Sequence, residues 1–301
     1  MRRAGRKNLR RNDEDRSEYR RVFVSSEGYK TEIQYMRELL RQSEVLGLHG
    51  RVEVVILNRY ETDSGLSHPD QVIGMTADYM EFLSSDRCSV GLFLSKVLDS
   101  AGNPGRTGVR ELSRDEGFRS LCADGYVTDM ERAREYAISF MSERGFQVNP
   151  VFEDQFYSKD TDVVCIIIDR DTDDGRTPER YADYMSSCES NGFRLFVTNP
   201  KFEFWILMHQ EDDGSLASIS ESRNPSSATD RVMDSRGMDK DHLDFEGIVG
   251  NLYLAMENAK GFTFTAKELE NRVGTNMPGF IHLLEGDMTG AMPCSGEVVL
   301  G

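Results

Sequence analysis

Val163-Val-Cys-Ile-Ile-Ile-Asp-Arg-Asp171 is the stretch on which the fold turns. Six apolar residues in a row, mostly β-branched and stopped by charge, read as a strand buried on both faces, the pattern of an interior strand in a parallel sheet. The residues after it continue that logic. Asp169-Arg-Asp-Thr-Asp-Asp-Gly175 ends the strand, Thr177-Pro178 supplies an N-cap and a first-turn proline, and Asn191-Gly192 closes the helix so begun. Residues 193–197 form the next predicted strand. Asn199-Pro200 then opens a helix in which Phe202, Trp205, Ile206 and His209 share one face.

Upstream, Arg21-Val-Phe-Val-Ser25 reads as a strand that halts at Ser26-Glu27-Gly28. Thr31 opens a segment with Ile33, Met36, Leu39 and Leu40 at helical spacing, and Thr31 with Gln34 is spaced for a capping box. Residues 52–57 and 69–83 repeat the strand-helix order. From about 88 to 160 the pattern loosens into helices near 92–98 and 128–143 around a Gly/Pro loop at 101–108, which predicts a helical insertion. Past 210, seven serines and few large apolar residues between 211 and 241 predict a mobile loop, and 245–258 and 266–284 read as helical. The expected organisation is a basic arm over 1–20, an α/β domain over 21–210 carrying the insertion, a Ser-rich loop over 211–241 and a helical C-terminal region over 242–301. Alternating strands and helices imply an α/β fold with a mostly parallel sheet flanked by helices.

The 301 residues hold 36 Lys plus Arg against 52 Asp plus Glu, a net charge of −16, with 38% apolar residues. Such a chain has ample material for a buried core. No run approaches about 18 apolar residues, and the Arg-rich start lacks an apolar signal core, so a cytoplasmic protein without membrane association is expected. Five cysteines without a CxxC pair argue against a disulfide framework or a thiolate zinc site. Residues 1–21 hold nine basic and four acidic side chains, which leaves a strongly acidic body. Such a body repels polyanions, so phosphate chemistry here requires metal ions or local basic surfaces such as this arm.

In parallel sheets chemistry gathers outside the carboxyl ends of the strands. Glu27 follows the first predicted strand there, Asp169 and Asp171 end the third, and Glu203 follows the fourth. In extended backbone Asp169 and Asp171 leave from the same side with alpha carbons about 6 to 7 Å apart, given a rise of ~3.3 Å per residue. Such a pair suits a hard cation, and Mg2+, which favours one or two carboxylates plus water and phosphate, fits best, with Mn2+ as the alternative.

Three motifs carry a resemblance: Ser26-Glu27-Gly28-Tyr29-Lys30-Thr31-Glu32, Ile168-Asp169-Arg170-Asp171, and Thr198-Asn199-Pro200-Lys201-Phe202-Glu203-Phe204-Trp205-Ile206-Leu207-Met208-His209. Together they resemble the RloB-like family, which is itself similar to the Toprim domains of topoisomerases, primases and overcoming-lysogenization-defect nucleases. Lys201 stands where that family usually has a small residue. The resemblance implies a Toprim-like, Rossmann-like sheet and Mg2+-dependent cleavage of phosphodiesters in DNA or RNA. It further implies a role in bacterial anti-phage defence beside an ATPase partner. Asp169 and Asp171 would hold the metal, Glu27 would complete the site or act as base, Glu203 would be a further ligand, and Lys30 would meet a phosphate. Glu32 reads as a partner for the helix dipole or for Lys30, Phe202 and Trp205 as core, and His209 as a buried hydrogen-bonder. The oligomeric state, homo-oligomer included, is left open.

Two rivals remain at this point. A haloacid-dehalogenase-type phosphatase would use Asp169 as nucleophile and Asp171 as general acid/base, but leaves Glu27 without a role. A non-catalytic Toprim-like scaffold would bind an ATPase or nucleic acid. The chain has neither GxxxxGK[ST] nor GxGxxG, so energy use would come from a partner.

Overall fold

Alternate residues of the central strand face two different cores, and the layers follow from that. The computed structural model describes residues 20–28, 30–48, 52–57, 68–84, 88–101, 105–146, 148, 157–171 and 176–286; most of the basic arm, residues 172–175 and Cys294 lie outside them. The chain runs β1 (Arg20–Ser26), α1 (Thr31–Arg41), β2 (Val52–Ile56) and α2 (Pro69–Ser84), the two strand-helix units expected. Then come β3 (Cys88–Ser89), α3 (Val90–Ala101), α4 (Arg106–Leu112), α5 (Glu116–Arg119), β4 (Cys122–Ala123), β5 (Tyr126–Val127) and α6 (Met130–Glu143). The sheet resumes with β6 (Val163–Asp169), α7 (Pro178–Asn191), β7 (Arg194–Asn199) and α8 (Phe202–Leu207). Helices α9 (Ser215–Ser220), α10 (Pro225–Ser235), α11 (Phe245–Gly250) and α12 (Leu252–Ala259) precede β8 (Gly274–Thr275) and α13 (Met277–Leu284).

The main sheet has the order β2-β1-β6-β7-β8, with the first four strands parallel and β8 antiparallel to β7. This is a Rossmann-like α/β architecture with helices on both faces. On β6, Val164, Ile166 and Ile168 join one core with Phe23, Tyr181 and the insertion's Phe93, Phe118 and Phe140. Val163, Cys165 and Ile167 join the opposite core with Tyr35, Trp205, Phe280 and Leu284. Burial of each such aliphatic side chain contributes about 1.5–3 kcal/mol, which accounts for an unbroken apolar run here. Thr177 caps α7 by accepting from Arg180 N, Pro178 opens it, and Gly192 ends it at φ 71°, as the sequence signals require. Among the described residues no helix is long and apolar enough to cross a membrane.

Five expectations need correction. Thr31 and Gln34 do not form a capping box: Lys30 occupies the N-cap position without a side-chain bond, and Glu32 instead bonds back to its own amide and that of Gly28. The insertion is not purely helical, because β3, β5 and β4 form a small antiparallel sheet, and it shares a core with the main sheet rather than standing apart. The Ser-rich segment at 211–241, expected as a mobile loop, carries α9 and α10. Leu216, Ile219, Ala228 and Met233 bury their inner faces, while Asn224 and Pro225 start the second helix. The stretch 266–284 is helical chiefly from Met277, and Gly274–Thr275 instead edges the sheet, where the Thr275 and Thr198 hydroxyls lie 3.0 Å apart. Finally, Arg20, placed in the basic arm, is tied into the strand that was expected to begin at Arg21: Arg20 Nε donates to Thr161 O at 2.8 Å and Arg21 pairs with Asp162 at 3.1 Å.

Candidate functional site

Strand order reverses between β1 and β6: from β1 the chain steps outward to β2, and β6 then pairs on the other side of β1. The carboxyl ends of these two strands therefore flank the switch point, where open α/β sheets place their ligands. Glu27 leaves β1 there, its amide donating to Ile167 O at 2.8 Å, and Asp169 ends β6 beside it. Backbone bonds from Arg170 to Thr198 O and from Asp171 to Pro200 O, each 2.9 Å, carry the acidic motif along the end of β7. Arg170 turns the other way: its Nε donates to Glu270 O at 3.1 Å, and its guanidinium lies 4.8 Å from the Tyr181 ring centroid.

Helix α8 begins without a capping side chain of its own, since Lys201 holds the N-cap position. Asp169 supplies the acceptor from across the sheet, its Oδ1 receiving the Phe202 amide at 2.8 Å. An anionic oxygen at the start of a helix satisfies one of its orphan donors. The next residue, Glu203, is buried in the first turn, with Oε1 3.2 Å from Lys240 Nζ. Lys240 also reaches Asp230 at 3.3 Å, to which Lys201 Nζ donates at 2.6 Å.

Glu27 is held most tightly. Arg176, just N-terminal to α7, spans its carboxylate, with Nη2 on Oε1 and Nη1 on Oε2 at 3.0 Å; the Asp169 amide also donates to Oε2 at 3.1 Å. Nη1 additionally donates to the Asp169 carbonyl. Both residues of the pair are buried. Burial works against the charge on Arg176, but Glu27, Asp169 and Asp171 outweigh it and hold the proton more firmly than usual.

Glu32, only 6% exposed, completes the group. Its carboxylate lies over Gly28, where an added Cβ would meet it, so a side chain at 28 would displace the carboxylate. Burial raises the Glu32 pKa to about 7, partly offset by its backbone hydrogen bonds, while Glu203 and Glu27 push it up further. Asp169 is raised well above the ordinary carboxyl range by burial and then by Glu32, Glu27 and Glu203, with Arg176 opposing. Four carboxyl groups thus sit in mutual electrostatic range.

Of the residues expected from sequence, Glu27, Asp169 and Glu203 come together, and Asp171 follows within electrostatic range of Arg176. Lys30 is turned instead to an ion pair with Asp241. Glu32, Arg176 and Lys240 were not anticipated as members of the group. Glu32 had a signal in the Gly28 that accommodates it, whereas Arg176 and Lys240 arrive from segments without a motif. His209 is buried as expected. Its Nδ1 donates to Trp205 O at 3.0 Å, so Nε2 accepts from Tyr35 OH at 3.1 Å, and burial lowers its pKa to about 4.

The clustered donors are all carboxylate oxygens, the chemistry that suits Mg2+ or Mn2+, and their burial and repulsion leave negative charge for a cation to neutralise. Among the described residues, however, no group of three or more His, Cys, Asp or Glu side chains is already arranged to hold an ion. Glu27 faces a guanidinium and Asp169 a helix amide. No curated protein and no solved structure matches the chain. The family model described as RloB-like protein matches residues 22–284, from β1 through α13, and the chain belongs to this family.

Proposed function

We propose that this protein is a divalent-metal-dependent nuclease of the Toprim type that cleaves phosphodiesters, acting in anti-phage defence with an ATPase partner. One observation carries the reading: Glu27, Glu32, Asp169 and Glu203 meet at the switch point of a parallel sheet, where burial and mutual repulsion raise Asp169 and Glu32. Asp169 and Asp171, with Glu27 and Glu203, would hold the ion. When bound, a divalent cation supplies Lewis-acid activation of the scissile phosphate and stabilises charge on the leaving oxygen. The chain's own contribution is positioning. Asp169 and Glu203 are mounted on a buried strand end and a buried helix start, and Lys240, Lys201 and Lys30 bring cationic groups to an otherwise acidic body.

A second reading, the non-catalytic scaffold, is favoured by the contacts that already engage the two carboxylates, the Arg176 fork on Glu27 and the Phe202 amide on Asp169. One experiment separates the two. Purified protein is incubated with supercoiled plasmid, single-stranded DNA and RNA in Mg2+, Mn2+ or EDTA, alongside Asp169→Asn. Cleavage that needs the metal and vanishes in the variant supports the nuclease. Its absence on all three substrates supports the scaffold.

A further inference from the structure

The hold of Arg176 on Glu27 has a chemical consequence. Glu27 Oε2 already accepts from the Asp169 amide at 3.1 Å and from Arg176 Nη1 at 3.0 Å, and Oε1 faces Nη2 of the same fork. A divalent cation placed on this carboxylate would confront a guanidinium across the same two oxygens, in a buried place where water screens little. Like charges so close cannot both be held there. Arg176 is also placed to give way. Its backbone carbonyl is anchored by Arg170 Nη1 at 2.9 Å, while its guanidinium is tied by hydrogen bonds to Glu27 and to the Asp169 carbonyl, with Nε buried and unbonded. The main chain can stay while the long side chain turns.

We infer that Arg176 is the resident counter-ion of Glu27 and competes with a divalent cation for that carboxylate. This rests on the nuclease reading only in requiring a cation site at Glu27, Asp169 and Asp171. The guanidinium keeps a buried carboxylate neutralised within a cluster that otherwise repels itself, and it leaves Glu27 when the ion is bound. Its planar fork, once freed at the same switch point, matches the oxygens of a phosphate.

The test is Mn2+ binding, followed by calorimetry and by the paramagnetic signal of free Mn2+, in the wild type, Arg176→Gln and Glu27→Gln. Arg176→Gln is expected to bind Mn2+ about tenfold tighter, the effect of removing one like charge from a site, and to melt earlier without added cation. Glu27→Gln is expected to bind it more weakly. A merely structural arginine would lower the melting temperature without tightening Mn2+ binding. Should Arg176→Gln fail to fold, a crystal of the wild type soaked in Mn2+ answers the same question, the expected result being a guanidinium moved off both Glu27 oxygens. Equal or weaker Mn2+ binding by Arg176→Gln, or an ion held beside an unmoved guanidinium, overturns the inference and leaves the nuclease reading standing. No Mn2+ bound by any of the proteins overturns both.

Discussion

Asp169 Oδ1 accepts the backbone amide of Phe202 at 2.8 Å, so the last residue of one strand fastens the first turn of the helix that carries Glu203. Two roles therefore meet in one side chain, a helix-capping acceptor and a charge in a repulsive cluster, and substitution can separate them. Asp169→Asn keeps an oxygen for Phe202 and removes the charge, whereas Asp169→Ala removes both. Asp169→Asn is expected to be more stable than Asp169→Ala by about 1 kcal/mol, the usual worth of a capping oxygen. It should also melt at or above the wild type without added divalent cation, and both variants should lack metal-dependent cleavage. Thermal and urea melts decide it, and an Ala variant as stable as the Asn variant would remove the capping role.

The pKa of Glu32 predicts how stability follows pH. In the fold its carboxyl ionises at about 7, against an ordinary value of 4.5. A carboxyl raised in the folded state gives stability that is complete below pH 4.5 and is lost as pH rises through 7. The loss amounts to at most about 3 kcal/mol at 1.36 kcal/mol per pH unit. Urea melts of the wild type and Glu32→Gln between pH 4.5 and 8 should therefore diverge, the variant gaining relative stability as pH rises. Parallel profiles would show that Glu32 stays ionised throughout.

The phosphatase alternative makes a different demand on Asp169. As a nucleophile it would form an aspartyl-beryllofluoride adduct and turn over small phosphomonoesters. Neither is expected, because one oxygen of Asp169 is engaged by the Phe202 amide and the carboxyl is raised by burial and then by its acidic neighbours. Intact-protein mass spectrometry or fluorine NMR with beryllofluoride, and assays with p-nitrophenyl phosphate, provide the check. An adduct on Asp169 would reverse the ranking of the two chemistries.

Residues 2–19 hold seven basic side chains, and Arg20 and Arg21 belong to β1. If the arm holds nucleic acid, its deletion should weaken binding more at low salt than at high salt. Each lost phosphate contact removes roughly 0.7 to 0.9 from the slope of log affinity against log salt, so three contacts flatten it by about two units. Fluorescence anisotropy across a salt series measures both quantities, and an unchanged slope would assign nucleic-acid binding to other surfaces.

Long-range burial was legible where it leaves a compositional trace. The run at 163–168 reads as an interior strand because both of its faces are covered, and the signals at Thr177-Pro178 and Gly192 place α7 to within a residue. Short elements left no trace: α9 spans six residues, three of them serine, and β8 only two. The acidic triad of Glu27, Asp169 and Glu203 was legible because each residue follows a strand. Arg176 and Lys240 were not, since their importance lies in where their long side chains end rather than in spacing. Glu32 lay between these cases, its helical position readable and its turn back over Gly28 not.

Strand β6 sends three side chains into each core, and Asp169 stands at its end. It behaves as a beam clamped from above and below. The height and angle at which Asp169 emerges are set by close-packed interiors of low compressibility rather than by a loop. Positional precision in this carboxylate is therefore a property of the whole sandwich. A cavity cut beneath Ile166 or Cys165, well inside the sandwich, would blur the aim of the charge at the tip.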